Sequence, residues 1–331
     1  MDSHAHSRPP RTPLVPPGGI DLHERDMTAT FSADVTLAEA QSRLAEIGQW
    51  LPIDGNPELS LGQLVNENST GPLRLGYGAW RDLLLGVQFT NGGGDLITAG
   101  GRTVKNVAGY DLTKFMVGQR GVFGRLMTLT TRTYRRPAGA IAIDLPPEPL
   151  KINDLLPTPL RPQWEVLTAD SLRLGYLGDE RTLDYYRQHL PSLSPKRIVE
   201  RTVDDDIADR RSLWVHGDRA FRATLPPAKL LTFTASSGLA SGNSRWTADA
   251  AFGIVVGPIP DDVAQLVSAV ESVGGRLSLN DHSRDSSTVL SGLSPEERDV
   301  LEQLKRAFDG AQMLNPIPTT YANAHRQQSV G

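Results

Sequence analysis

The sequence predicts an α+β fold in two domains, and three features point there. Residues 21–137 run in the order strand, helix, irregular loop, hairpin, short helix, strand, which suits one compact α+β unit. A proline-rich stretch from Pro137 to Trp164, PAGAIAIDLPPEPLKINDLLPTPLRPQW, then breaks the pattern, as a domain boundary does. Beyond it, strands again alternate with helices. With 331 residues, 39% of them hydrophobic, the chain is long enough to bury a sizeable core in two such units.

The opening stretch to Ile20 holds five prolines and almost no apolar periodicity, so it reads as a disordered or extended tail without the apolar core of a secretory signal. MTATFS follows, with Met27, Ala29 and Phe31 on one face at the two-residue period of a strand. The period then changes. Thr36 and Glu39 form a capping box, Leu37, Ala40, Leu44 and Ile47 recur at helical spacing, and Gly48 is a left-handed stop. Gln49 to Gly78 is too rich in Gly, Pro and Asn for a long regular element. LLLGVQFT reads as a buried strand, Asn91-Gly92 as a hairpin turn and DLITAG as the returning strand. Asp111 caps a short helix that turns Leu112, Phe115 and Met116 inward and stops at Gly118, and VFGRLMTLTTRTYRR is a long strand ended by Pro137.

In the second half WEVLTADSLRLGYLG, WVHGDRAFRATL and FGIVVG read as strands. Asp179 to His189 is a helix, and Asp261 to Val273 is another, with Val263, Leu266, Val267 and Val270 on one face and Gly274 as its stop. Ser294-Pro295-Glu296-Glu297 starts a last helix with a capping box and a proline in its first turn, and Val300, Leu301, Leu304 and Phe308 carry its apolar stripe. The resulting organisation is a tail to residue 20, a first domain over 21–137, a second α+β domain over 138–293, and a C-terminal helix and tail over 294–331.

Composition excludes several classes of function. A net charge of −4 with both signs interspersed gives no electrostatic basis for nucleic-acid binding. Without cysteine the chain has no disulfide framework, no thiolate catalysis and no iron–sulfur ligation by its own thiolates, so any such cluster belongs to a partner. No stretch approaches the roughly 18 consecutive apolar residues of a membrane helix. The expected location is cytoplasmic, with any contact to a membrane made through a partner.

One segment stands out: GGRTVKNVAGYDLTKFMVGQRGVFG, Gly100 to Gly124, places six glycines beside two lysines, a tyrosine and an aspartate. Glycine permits positive φ and lets a ligand approach the main chain with no Cβ between them, and runs of free N–H groups in such loops bind phosphate. Hairpins and helix stops also use glycine, and Gly92, Gly93 and Gly118 are accounted for in that way. Neither a P-loop nor a dinucleotide G-x-G-x-x-G in its strand-first context is present.

That segment, together with LRLGYGAWRDLLLGV before it, closely resembles the flavin domain of the vanillyl-alcohol-oxidase-like, PCMH-type flavoproteins, in the branch of the FAD-binding subunits of glycolate oxidase. Lys105, Asn106, Gly109, Tyr110 and Asp111 stand in the family order, as do Gly76, Tyr77, Gly78, Arg81, Asp82 and Gly86; FDGAQMLNP looks like the family's closing segment. The resemblance implies a PCMH-type FAD-binding domain with its first subdomain largely missing, followed by a cap-like α+β domain. It implies FAD as cofactor, with Leu61, Gly62, Asn66, Ser69 and Gly71 flanking the flavin, Lys105, Asn106, Gly109 and Tyr110 forming a wall near the ring, and Gly76, Tyr77 and Gly121 completing the set. Asn106 equally suits a bridge between loop backbones, Tyr110 a core aromatic, Lys105 a solvated face, and Arg81 with Asp82 an ion pair holding the loop.

The sequence also departs from the family. Ser60-Leu61-Gly62-Gln63 stands for T-x-G-G, and Gly118-Gln119-Arg120-Gly121-Val122-Phe123-Gly124 for G-S-x-G-T-L-G, so bulky groups occupy places where small ones are expected and would crowd a cofactor. Relatives carry a pyrophosphate loop in a subdomain that precedes the strand at MTATFS; here Gly18-Gly19 is its only counterpart. Flavin oxidation of a 2-hydroxy acid needs a base and cations for the carboxylate. The seven histidines are scattered without metal-ligand spacing in a folded region, and the polar segment LNDHSRDSS reads as a solvated loop, so no catalytic residue and no metal site is assigned.

Two expectations follow. One is an FAD-binding accessory subunit of a glycolate-oxidase-like complex, passing electrons from a catalytic flavoprotein subunit toward an iron–sulfur subunit. The other is a degenerate, flavin-free subunit that stabilises the catalytic flavoprotein.

Overall fold

A computed structural model describes residues 12–101, 111–148, 151–193, 198–214, 219–239, 245–281, 289–290 and 294–320. Residues 12–20 of the expected tail pack on the first unit: Val15 is buried and the Leu14 amide donates to Gln88 Oε1 at 2.7 Å, while residues 1–11 lie outside the described residues. Strand β1 (Ile20–His23) pairs with β2 (Thr28–Ser32), whose Ala29 and Phe31 enter the core as the alternation predicts. Helix α1 (Leu37–Ala45) has both halves of the Thr36/Glu39 capping box and buries Leu37, Ala40 and Leu44.

The glycine- and proline-rich segment that follows, with the residues leading into the next strand, forms only short elements. It holds β3 (Gln49–Trp50), α2 (Leu61–Asn66), α3 (Arg74–Tyr77) and α4 (Trp80–Leu83). A second capping box, Ser60 with Gln63, starts α2. Strands β4 (Leu84–Thr90) and β5 (Leu96–Gly100) form the expected hairpin, but its turn is wider than a two-residue Asn-Gly turn. The Asn91 side chain bonds the Asp95 backbone and carboxylate, and Gly94 takes the positive φ. After α5 (Leu112–Phe115), capped by Asp111, the long strand divides at Thr133 into β6 (Arg125–Arg132) and β7 (Tyr134–Arg135), which pairs with β3. The described residues of this unit form an antiparallel sheet in the order β1-β2-β6-β4-β5. Its core gathers Phe31, Leu44, Leu64, Trp80, Phe89 and Leu129, and its other face is a buried polar ladder in which Thr30 bonds Thr130 and Thr128 donates to Gln88.

The chain crosses into a second sheet at β8 (Gly139–Leu145) and continues through α6 (Lys151–Leu155), β9 (Trp164–Leu167), β10 (Leu172–Gly178), α7 (Glu180–His189) and β11 (Ile198–Arg201). Next come α8 (Val203–Trp214), β12 (Arg219–Thr224), α9 (Leu230–Ser236), β13 (Thr247–Asp249) and β14 (Ile254–Pro258). The last elements are α10 (Val263–Ser272), β15 (Arg276–Asp281), β16 (Val289–Leu290), α11 (Pro295–Phe308) and β17 (Thr319–Thr320). Trp214, expected to start a strand, instead ends α8 and buries its indole at the seam between the sheets, with Nε1 donating to Thr70 O at 2.7 Å.

The described strands of this half form one sheet in the order β11-β8-β10-β9-β13-β14-β12-β15-β16-β17. One face packs Phe221, Ala223, Leu277 and Tyr176 against α7, α9 and α10. The other face packs Ala142, Trp164, Val166 and Val256 against Trp50 and Leu73 of the first unit and Trp214 of α8. Thus the two halves share an apolar core. Helix α11 forms with its predicted capping box, yet none of its residues is fully buried and Val300 is 54% exposed. Its anchoring lies at its C-terminal end, where Phe308 packs on Phe89, Phe115 and Phe123.

Candidate functional site

Two loops of the first unit come together where the flavin-family residues were expected. The first follows α2 and the second spans Gly118–Gly124. Gly118 N donates to Val65 O at 2.9 Å and Arg120 N to Asn66 O at 3.0 Å. Gln119 is the brace: its amide bonds Asn66 Oδ1 at 2.5 Å and Gly124 O at 2.8 Å, while its carbonyl accepts from Phe123 N at 2.9 Å. The bulky residue read as crowding a cofactor is therefore turned inward and 4% exposed.

Both loops hold a non-glycine residue in the left-handed region, Asn68 at φ 49 and Arg120 at φ 57. Such conformations cost about 1 kcal/mol or more and persist where surrounding contacts fix them, commonly at ligand sites. Among the described residues, two buried hydroxyls near these loops have no hydrogen-bond partner. Thr70 Oγ1 lies between Ser69 and Gly71, and Thr113 Oγ1 lies beneath Gly100 at the end of β5. An orphaned buried hydroxyl is a place where a polar group is missing.

The expected site residues fall into three groups. Asn66, Ser69 and Gly121 belong to the paired loops: Ser69 N donates to Leu64 O, and Gly121 has φ +76 with the Asn315 amide where a Cβ would stand. Leu61 and Gly62 sit deeper, on the first turn of α2. Leu61 is wholly buried, and a Cβ on Gly62 would lie 2.7 Å from Ala33 O. Gly71, Gly76 and Tyr77 line the seam between the sheets instead. Gly71 is pressed on Asp54, Gly76 on the Gln163 backbone, and Tyr77 stands edge-on between Trp50 at 5.5 Å and Tyr134 at 5.2 Å. Burial pushes the Tyr77 phenol up to about 12. Lys105, Asn106, Gly109 and Tyr110 lie outside the described residues. Of the expected Arg81 and Asp82 pair, Arg81 is exposed and Asp82 instead caps α4, accepting from Ala79 N at 2.9 Å.

A flavin needs a polar rim for its ring and donors for its pyrophosphate. The orphaned hydroxyls and left-handed loops fit the rim. Most described amides of the two loops are taken up internally, among them those of Gly62, Glu67, Asn68, Ser69, Gly118, Arg120 and Val122. Most of the described loop amides are thus committed within the protein and are not offered to a pyrophosphate. Among the described residues no group of His, Asp or Glu has the makings of a metal site, and no helix is long and apolar enough to cross a membrane.

Comparison with known proteins bears on the same region. Residues 17–100 match the family described as FAD binding domain. The chain is 30% identical over 129 residues to glycolate oxidase subunit GlcE of Escherichia coli, covering 38% of this chain and 37% of that protein. It is 32% identical over 120 residues to glycolate oxidase subunit GlcD of Bacillus subtilis, covering 36% of this chain and 26% of that one. A mitochondrial D-lactate dehydrogenase [cytochrome] of Arabidopsis thaliana is 28% identical over 139 residues, covering 39% of this chain and 24% of that one. The chain thus spans well under half the length of these relatives. Among solved structures, alkyldihydroxyacetonephosphate synthase shares the fold, with a TM-score of 0.62 over 89% of this chain and 65% of that one at 14% identity.

Proposed function

Since residues 17–100 match the FAD binding domain family, whose cofactor is FAD, we propose that this chain is an FAD-binding accessory subunit of a 2-hydroxy-acid oxidoreductase complex. In this reading it is a subunit of a glycolate-oxidase-like assembly, located in the cytoplasm or held at a membrane by a partner. It works beside a catalytic flavoprotein and passes electrons toward an iron–sulfur protein. The observation that carries the reading is the joining of a loop inside the matched family region, Asn66 to Ser69, to the Gly118–Gly124 loop, beside buried hydroxyls that have no partner among the described residues.

When bound, FAD supplies a two-electron acceptor able to release its electrons one at a time. The chain's residues would do the rest. Asn66 and Ser69, with Thr70 and Gly121, would rim the ring, and Lys105, Asn106, Gly109 and Tyr110 would form the wall near it. Gln119 holds the two loops in register, and the Phe89, Phe115, Phe123 and Phe308 cluster keeps water from behind the second loop. With no cysteine in this chain, an iron–sulfur cluster in such an assembly would be held by thiolates of a partner.

A second reading, a flavin-free subunit that stabilises the catalytic flavoprotein, is favoured by the internal use of the loop amides and by the side chains set against Gly71 and Gly121. One measurement separates the two. The chain is co-expressed with candidate catalytic and iron–sulfur subunits, purified with excess FAD, and its flavin-to-polypeptide ratio determined on the isolated subunit. A ratio near one supports the electron carrier. A colourless subunit that still assembles supports the docking role.

A further inference from the structure

Arg222 and Ser278 are direct cross-strand partners on β12 and β15. Their neighbours Phe221, Ala223 and Leu277 point into the core beneath the large sheet. By the alternation of a strand, Arg222 and Ser278 project from the opposite face, toward the first unit. There each meets one of the two left-handed loops. The Arg222 guanidinium donates from Nη1 to Asn68 O at 2.6 Å and from Nη2 to Glu67 O at 3.4 Å. Arg120 donates from Nη2 to Ser278 Oγ at 3.0 Å.

We propose that Arg222 is a positioning residue for the candidate flavin loops: through it and Ser278, the second sheet sets the backbone of residues 66–69 and 118–121. The carbonyls that Arg222 takes lie at the C-terminal end of α2, where the helix dipole is negative and a cation is best placed. Its hydrogen bonds are charge-assisted, hence stronger than the neutral ones that join the loops to each other. The arrangement is costly in isolation. Burial first, and then the nearby Arg120 cation, hold the Arg222 guanidinium down to about 10, with Glu67 acting in the opposite direction. Two cations are thus kept near each other where the second sheet meets the loops: Arg222 on β12 bonds the first loop, whose Asn68 is in the left-handed region, and Arg120, the left-handed residue of the second loop, bonds Ser278 on β15. A surface that only had to glue two domains together would do so with the apolar seam around Trp50, Trp164 and Val256, which is already present.

This inference rests on the flavin reading for its functional meaning, but the mechanical part is measurable without flavin. Hydrogen exchange on the full, FAD-free chain compares wild type with Arg222→Met, Arg222→Lys and Ser278→Ala. In Arg222→Met, exchange of amides 67–71 accelerates by about tenfold or more, as loss of a charged hydrogen bond implies, while amides of β14 and α10 stay unchanged. Arg222→Lys restores part of the protection. Ser278→Ala loosens 118–121 and leaves 67–69 protected. FAD titration then reads function: Arg222→Met weakens binding by about tenfold, and at saturation the bound flavin's absorbance fine structure and fluorescence quenching move toward those of free FAD. Unchanged exchange at 67–71 overturns the proposal, as does faster exchange with an unaltered bound-flavin spectrum. Should Arg222→Met fail to fold, Arg222→Lys carries the same two readouts, with a smaller acceleration expected at 67–71, and decides in its place. If the wild type binds no FAD, the flavin reading falls, and the exchange data still settle whether Arg222 positions the loops.

Discussion

Arg210 and Asp54 meet across the seam between the two halves, Nε donating to Oδ1 at 2.9 Å with the Arg210 side chain 1% exposed. The second Asp54 oxygen accepts from Leu73 N at 2.7 Å; Arg210 also pairs with Asp206, whose other oxygen takes Trp164 Nε1 at 3.1 Å. Each buried charge is thereby matched. Removing the cation strands two carboxylates in the seam. Arg210→Met is expected to lose about 3–5 kcal/mol of stability, seen as a lower urea midpoint, with Asp54→Asn losing less.

Stability should also fall with rising pH through one carboxyl pair. Glu165 on β9 accepts from Ala251 N at 2.6 Å, and Asp249 at the end of β13 accepts from Phe252 N at 3.0 Å. Burial, followed for Glu165 by the neighbouring Asp249, raises both: Asp249 to about 6 and Glu165 well above the usual range. A group whose folded value exceeds its unfolded one contributes fully below the unfolded value and loses that contribution as pH rises through the folded one. Melting temperature should therefore drop as pH rises from the ordinary carboxyl range through about 6, where Asp249 ionises in the folded state, and go on dropping above it as Glu165 follows, and Glu165→Gln should flatten that slope. An unchanged slope in the variant would remove the pair from the pH response.

Gly62 offers a test of packing against cofactor contact. Because a Cβ there meets the Ala33 carbonyl at 2.7 Å, Gly62→Val should cost the FAD-free protein about 1–3 kcal/mol. If the apo protein keeps its melting temperature and only FAD retention suffers, the glycine serves the flavin instead.

The C-terminal helix is latched by Asp309, which is 1% exposed. Its carboxylate accepts from Met313 N and Leu314 N at 2.8 Å and from Lys305 Nζ at 2.5 Å, and Lys305 also reaches Val122 O at 3.0 Å. Asp309→Ala should cost about 1–3 kcal/mol and expose the chain after Phe308 to limited proteolysis. Cleavage no faster than in wild type would argue against the latch.

Local signals in the sequence located most elements. The Thr36/Glu39 and Ser294/Glu297 boxes and the stops at Gly48, Gly118 and Gly274 are written in neighbouring residues, and the structure follows them. What escaped depends on distant partners. Trp214 reads as a strand residue until the seam with Thr70 is known, and the Ser60/Gln63 box was masked by surrounding Gly and Pro. Val300 and Leu301 look like core at helical spacing, but spacing does not say whether a partner surface is present. In the site, the family order of residues brought Asn66, Ser69 and Gly121 to one place, whereas Gly71, Gly76 and Tyr77 answer to the seam. Gln119 could be flagged as unusual, but its inward turn depends on Asn66, which sequence separation hides.

Phe308 has a consequence for how the polypeptide matures. Its ring closes over Phe115 at 5.5 Å and Phe123 at 6.0 Å, and it also contacts Phe89, all on a unit that emerges from the ribosome far earlier. Until α11 is synthesised, those aromatics lack their cover, and contacts so distant along the chain close slowly. The nascent first unit therefore passes through an interval with a sticky aromatic surface, during which chaperone capture or self-association competes with completion.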